Sequence, residues 1–258
     1  ANLRNYWSDF KKSFNASRIG IYHGSPTNIT KVPYMALYRP RNETYHCGAA
    51  IVHEKYLVTA AHCYKYLRNS ISSRTCDEDK YVTVGTDKIR GTDNYEIEET
   101  FVHPKYVHDD DPFKPDYDVA VIKLKKKLTL SDRVRPITMA EKDFEIKDGE
   151  LVTAMGFGLT EDGRESPDLL TVDVPYVEQT KCKKAYKGTE YTITNRMLCA
   201  GDEDEGSCNF DSGSPLVYNN VFVGITSGGK ACGSSKWPVI YSRVSALRSF
   251  IDSVVGKK

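Results

Sequence analysis

Three short segments carry residue types that could do chemistry together: Leu57-Val-Thr-Ala-Ala-His62-Cys63, Asp118-Val-Ala-Val-Ile-Lys-Leu124 and Asp211-Ser212-Gly213-Ser214-Pro215. A serine hydroxyl is a weak nucleophile at neutral pH. Acyl transfer through Ser212 therefore needs an imidazole within hydrogen-bond reach and a buried carboxylate that fixes the imidazole tautomer. His62, Asp118 and Ser212 supply those types in that order. Each segment alone is modest evidence, since a core histidine or a turn serine is the plainer reading of any one of them. The remaining histidines, His23, His46, His53, His103 and His108, show no metal-ligand spacing. Asp109-Asp110-Asp111 lacks the alternating oxygen ligands and turn glycine of a calcium loop and reads as an acidic loop. No metal and no cofactor is called for.

The elements that must position these residues read as strands. From Val32 onward, short β-rich runs alternate with turn signals: 34–38, 49–52, 81–84, 119–124, 151–155, 221–225 and 239–241. Many short strands and few helical periods imply an all-β barrel or sandwich. Only 242–255 places apolar residues at three-to-four-residue intervals, through Val244, Leu247, Phe250 or Ile251, and Val254, which predicts a docking C-terminal helix. Residues 1–20 contain no cysteine and read as an N-terminal extension or propeptide-like segment.

Composition narrows the class. The 258 residues carry 36 Lys and Arg against 35 Asp and Glu, so no basic surplus draws a polyanion and nucleic acid is not an expected partner. Lys125-Lys126-Lys127 is read as a solvated strand exit. No apolar run approaches the roughly 18 to 20 residues of a spanning helix, so no membrane role is expected. Seven dispersed cysteines, without a C-x-x-C pair, suggest disulfides and an oxidising, secreted setting. Sequons at Asn15, Asn28 and Asn42 are compatible with glycosylation on that route.

The three segments, with Gly156-Phe157-Gly158 and Met197-Leu-Cys-Ala200, resemble the chymotrypsin-like (trypsin family) serine proteases over residues 21 to about 255. The resemblance implies two antiparallel β-barrels in a domain spanning 21–258, roughly 21–135 and 136–241, with a C-terminal helix at about 242–255. It implies His62 as general base, Asp118 as its orienting carboxylate and Ser212 as nucleophile in the cleft between barrels. It further implies the disulfides Cys47 with Cys63, Cys182 with Cys199 and Cys208 with Cys232. Cys76 is left over, either as a reactive or intermolecular thiol or as a buried inert one. Gly85-Thr86-Asp87-Lys88 falls where relatives carry a calcium loop, but Thr86 replaces its first glutamate, and no calcium is expected.

Several positions depart from a working protease of that family. Activation there frees an N-terminal Ile whose ammonium pairs with the Asp before the nucleophile, here Ile21 and Asp211. Pro33, twelve positions after Ile21, supports this register. The residue before Ile21 is Gly20, whereas tryptic cleavage after Arg18 would leave a two-residue overhang, so the chain with residues 1–20 attached is proenzyme-like. The oxyanion hole, formed by the N–H groups of Ser212 and of the residue two before it, has Phe210 in place of glycine. The loop either keeps the Phe210 amide aimed or loses that donor, and a lost donor costs about 2.7 to 4 kcal/mol, a 10² to 10³-fold fall in rate.

The implied substrate pocket comprises Gly206, Ser207, Ser227, Gly228, Gly229 and Val239. Its floor is Gly206 rather than Asp, Gly228 stands where the family has Trp, and Val239 stands where it has a wall glycine. Lys or Arg specificity is therefore not expected, and a small or apolar side chain suits the site better. Ser214 replaces a further loop glycine. These replacements favour a secreted homologue with an intact triad but impaired oxyanion hole and cleft, weakly active or inactive and acting by protein binding. The alternative is an active serine endopeptidase zymogen. The chain is also similar to mite proteases of the group-3 allergen type and to the inactivated serine protease paralogues of the scabies mite. That likeness implies interference with host defence, complement among it, and proteins as substrates or partners.

Overall fold

The computed structural model describes residues 24–40, 46–64, 80–107, 116–158, 165–201, 211–230 and 236–256. Within the first half, six strands of four to nine residues close into a barrel because each strand buries one face inward. These strands are β2 (Met35–Pro40), β3 (Cys47–His53), β4 (Tyr56–Thr59), β5 (Lys80–Val84), β6 (Asn94–Val102) and β7 (Ala120–Leu124). They pair antiparallel in the ring β2-β3-β4-β7-β6-β5, which returns to β2.

The second half closes in the same way from β9 (Leu151–Gly156), β10 (Leu170–Val177), β11 (Met197–Ala200), β12 (Pro215–Tyr218), β13 (Val221–Gly228) and β14 (Val239–Arg243). Their ring is β9-β10-β11-β14-β13-β12, with β12 pairing back to β9. Strand β10 shows the two-residue period, with Leu170, Val172, Val174 and Tyr176 buried and Thr171, Asp173, Pro175 and Val177 less so. The double antiparallel barrel expected from the sequence is the fold observed.

Two short strands sit outside the rings. β8 (Thr138–Met139) runs parallel to β13, and β1 (Ser25–Pro26) pairs antiparallel with β10 through Ser25 opposite Thr171. The Thr27 N–H continues this strap onto the Leu169 carbonyl. Although it precedes the first barrel in sequence, residues 25–26 thus pair with the second. Asn28 then caps a 3₁₀ turn at Ile29–Lys31, its side chain accepting from the Thr30 N–H at 2.9 Å.

The β12–β13 connection is a two-residue hairpin. Asn219 and Asn220 take φ of 48° and 61°, the left-handed pair that matches strand twist and that Asn tolerates better than most side chains. At the end of the chain, helix α2 (Val244–Val255) follows helix α1 (Gln179–Ala185) in order and buries Val244, Leu247 and Ile251. It packs on β13 and β7, across both barrels. Among the described residues no helix is long and apolar enough to cross a membrane.

Candidate active site

His62 is placed by the end of β4. That strand leads through Ala60 into a helical turn at residues 61–64, and both Ala60 and Ala61 are buried. The Cys47–Cys63 disulfide fastens the turn to the first residue of β3, and the Thr59 hydroxyl donates to the Gly48 carbonyl at 2.7 Å. The imidazole is held at the barrel end and remains partly exposed, with 13% of its side chain accessible.

Asp118 sits just ahead of β7 and is fully buried. Its Oδ1 accepts the His62 main-chain N–H at 2.9 Å, and its Oδ2 lies 2.7 Å from His62 Nδ1. The Ser227 hydroxyl donates to the same Oδ2 at 2.5 Å, and the Ser242 hydroxyl donates to the Asp118 carbonyl at 2.9 Å. Burial alone would raise this carboxyl, but the His62 imidazole, the Ser227 hydroxyl and the His62 N–H outweigh it and hold it below the usual carboxylate range. An ionised Asp118 can only accept, so the imidazole proton belongs on Nδ1 and Nε2 is left with its lone pair. That is the tautomer a general base requires.

The Asp211–Gly213 turn is sutured to both barrels. The Ser212 carbonyl accepts the Gly48 N–H of β3 at 2.8 Å, and the Gly213 N–H donates to Thr226 of β13 at 2.8 Å. Gly213 has φ of 80°, and a Cβ there would lie 2.3 Å from Thr59 Oγ1 and 2.5 Å from the Gly48 carbonyl oxygen, so a side chain is excluded. The turn thereby brings half-buried Ser212 to the ends of β3 and β4, where the His62 turn begins. Asp211 is fully buried, and its Oδ1 accepts the Gly158 N–H at 2.9 Å. A Cβ at Gly156 would come within 1.9 Å of that oxygen, which explains the Gly-Phe-Gly landmark next to the carboxylate.

At the end of β13, Ser227 was expected in the substrate pocket, yet its hydroxyl is committed to Asp118. Around Gly228, its chain neighbours apart, none of the described residues lies within 4 Å of the position a Cβ would take. The Gly229 carbonyl accepts from the Tyr191 hydroxyl at 3.0 Å, and the Tyr186 hydroxyl donates to Pro238 at 2.7 Å. Val239 pairs with Ala200 and is 5% exposed, packed with the main core. Burial pushes the Tyr186 phenol well above its ordinary value, so it serves here as a donor and not as an acid.

The Cys182–Cys199 disulfide ties α1 to β11. Cys47, His62 and Cys63 offer ligand atoms close together, but the two sulfurs are joined to each other and supply no thiolate to a metal. Asn28 is exposed, with its sequon hydroxyl on Thr30 donating to its Oδ1 at 2.9 Å. Ile21, Gly206, Ser207, Phe210, Cys76, the Cys208 and Cys232 pair, Asn15 and Asn42 lie outside the described residues.

The sequence reading passed over Ser242, and it assigned Ser227 to the pocket without its bond to Asp118. Both belong to strands of the second barrel, more than 100 residues from Asp118, and no local pattern announces such long-range partners. What the described groups can do together is hold an imidazole in the basic tautomer beside a serine-bearing turn, the arrangement of nucleophilic acyl transfer.

Comparison with known proteins bears on this arrangement. The profile of the Trypsin family matches residues 21–251. The chain is 31% identical to Trypsin 5G1 of Aedes aegypti, over 98% of this chain and 90% of the relative. It is 34% identical to a vitellin-degrading protease of Bombyx mori, over 91% of this chain and 85% of that one. It is 32% identical to phenoloxidase-activating factor 1 of Holotrichia diomphalia, over 90% and 69%. Among solved structures it is similar to neuropsin, a serine protease expressed in the limbic system of mouse brain. The TM-score is 0.78 at 25% identity, covering 91% of this chain and 99% of that one.

Proposed function

The chain belongs to the trypsin family, and from that premise we propose a protein-binding member whose triad is retained but whose acyl transfer is weak or absent. The observation that carries this reading is Gly228. At the end of the strand that in the family lines the cleft there is no side chain, and among the described residues, its chain neighbours apart, nothing lies within 4 Å of a Cβ position. A bound peptide would lack an apolar wall on that side and would be held loosely where geometry must be tight. A misplacement of about 1 Å at the reacting atoms costs on the order of 100-fold in rate. Phe210, which stands in the sequence where the family has its oxyanion glycine, adds an independent penalty on the same step.

The partner is a protein, engaged along the cleft between the barrels. The secreted setting is supported by two formed disulfides. On the likeness to the mite paralogues, the partner class is extracellular host-defence protein. Complement-driven lysis measured with and without the added chain tests that point, and unchanged lysis removes it.

A second reading, an active endopeptidase with a small or apolar preference, is favoured by the Asp118–His62 geometry, which is that of a competent base. A fluorophosphonate probe separates the two, applied to the full chain and to chain cleaved before Ile21, with Ser212→Ala as control. Absent or very slow labelling in both forms supports the binding role. Rapid labelling after cleavage, lost in Ser212→Ala, overturns it in favour of the zymogen.

A further inference from the structure

Asp118 is set in an unusual piece of backbone. The residue before it, Tyr117, has φ of 57°, a left-handed conformation that costs a bulky side chain roughly 1 to 3 kcal/mol. The Val119 N–H folds back onto the Tyr117 carbonyl at 2.8 Å, so the chain bends sharply around Asp118 itself. Such a bend persists only where its surroundings over-determine it.

The surroundings come from the other barrel. Asp116, two residues before Asp118, accepts at Oδ1 from Arg196 Nε at 2.8 Å, from the Thr194 hydroxyl at 3.0 Å and from the Tyr117 N–H at 3.0 Å. Its Oδ2 accepts from a second arm of the same guanidinium, making a two-pronged pair. Arg196 then lies over the Tyr117 ring, 4.3 Å from its centroid. His103 stacks on that ring at 4.6 Å, and Lys105 lies 5.6 Å from it. Arg196 is itself fixed, because its carbonyl accepts the Arg243 N–H of β14 at 2.7 Å.

We infer that Arg196, through Asp116 and the Tyr117 ring, is a positioning residue that holds the bend and thereby aims the Asp118 carboxylate at His62. A planar fork suits both contacts, since one face stacks on the ring while the edge grips the carboxylate; an ammonium can do neither as well. Ser227 and Ser242 hold Asp118 itself from the same barrel, so the triad carboxylate on the first barrel is aimed by the second. Relative motion of the barrels would then be felt first at the base.

The inference rests on reading His62 and Asp118 as base and orienting carboxylate, and its test reads the imidazole, so it does not depend on turnover. In chain labelled at histidine with ¹⁵N, the far-downfield Nδ1–H resonance and the titration midpoint of His62 are followed by NMR. The variants are Arg196→Ala, Arg196→Lys, Asp116→Asn and Asp118→Asn, with Lys88→Ala as a surface ion-pair control. Arg196→Ala is expected to broaden or lose the Nδ1–H resonance and lower the His62 midpoint by about half a unit or more, as weaker pairing with a carboxylate should. Arg196→Lys and Asp116→Asn should fall between it and the parent, and they carry the test if Arg196→Ala fails to fold. A fall in thermal stability with both His62 signals unchanged would make Arg196 merely structural and overturn the inference. If Asp118→Asn leaves His62 unchanged as well, the underlying reading of the pair fails instead.

Discussion

At the scale of single residues, the site is defined by what surrounds one buried carboxylate. Asp118 takes a main-chain N–H, an imidazole and a serine hydroxyl, a set that keeps it ionised in spite of its burial. Ser227→Ala removes one of these donors while leaving the other two. We expect it to destabilise the fold by about 1.5 to 3 kcal/mol, the range for a hydrogen bond to a charged group, measured by urea unfolding. Asp118→Asn should cost more, because its amide nitrogen must face either the His62 main-chain N–H or the two donors that meet at Oδ2, and the charge that strengthens all three bonds is gone. An Asp118→Asn chain as stable as the parent would contradict the network. The pairing of His62 with Asp118 was legible in the sequence because a serine nucleophile has few ways to be activated. The partners of Asp118 were not, because they arrive from strands paired only in three dimensions.

At the scale of elements, about half of the barrel strands were legible as short apolar runs, and the C-terminal helix as a 3.6-residue stripe ending near Val255, whereas β6, with polar residues through most of its length, was not. The strap at Ser25–Pro26 was not, since a two-residue pairing leaves no periodic signal. The hairpin turn was equally hidden, because Asn219-Asn220 is not among the glycine-bearing pairs that usually signal such turns. Asn220→Gly should be tolerated or slightly stabilising, whereas Asn220→Val should destabilise by about 1 to 2 kcal/mol through strain at positive φ. Thermal melts of the two variants give the comparison, and equal midpoints would contradict the assignment. In α2, Leu247 is 2% exposed against the barrels. Leu247→Ala should cost about 2 to 5 kcal/mol, the range for an apolar core truncation, read by chemical denaturation.

For the whole molecule, acid stability follows from the groups the two barrels share. His103, half-buried against Tyr117 and Phe250, is held below its ordinary value chiefly by burial, with Lys105 adding to the effect. Its neutral form is favoured in the fold, so its contribution is present above the unfolded value of about 6.5 and is lost as pH falls toward its lower folded value. Asp118 and Asp116 are also depressed. For Asp116, burial works against the shift and the Arg196 and Thr194 bonds prevail. Their contribution is present above the unfolded value of about 3.9 and is lost as pH falls through the folded values. Stability should therefore decline in two steps on acidification, and His103→Gln should remove the upper one. A single step below pH 4 in the parent would contradict this.

The central claim is that the triad is sound and that the groups around the reacting carbonyl limit the chemistry. It is tested most directly by the fluorophosphonate labelling rate of chain cleaved before Ile21, compared with the same chain carrying Phe210→Gly and Gly228→Trp together. The account predicts at least about a 100-fold faster rate in the double variant, from one recovered oxyanion donor alone, with Ser212→Ala abolishing labelling in both backgrounds. A parent that labels as fast as the double variant would show that neither Phe210 nor Gly228 restrains the site, and would contradict the account.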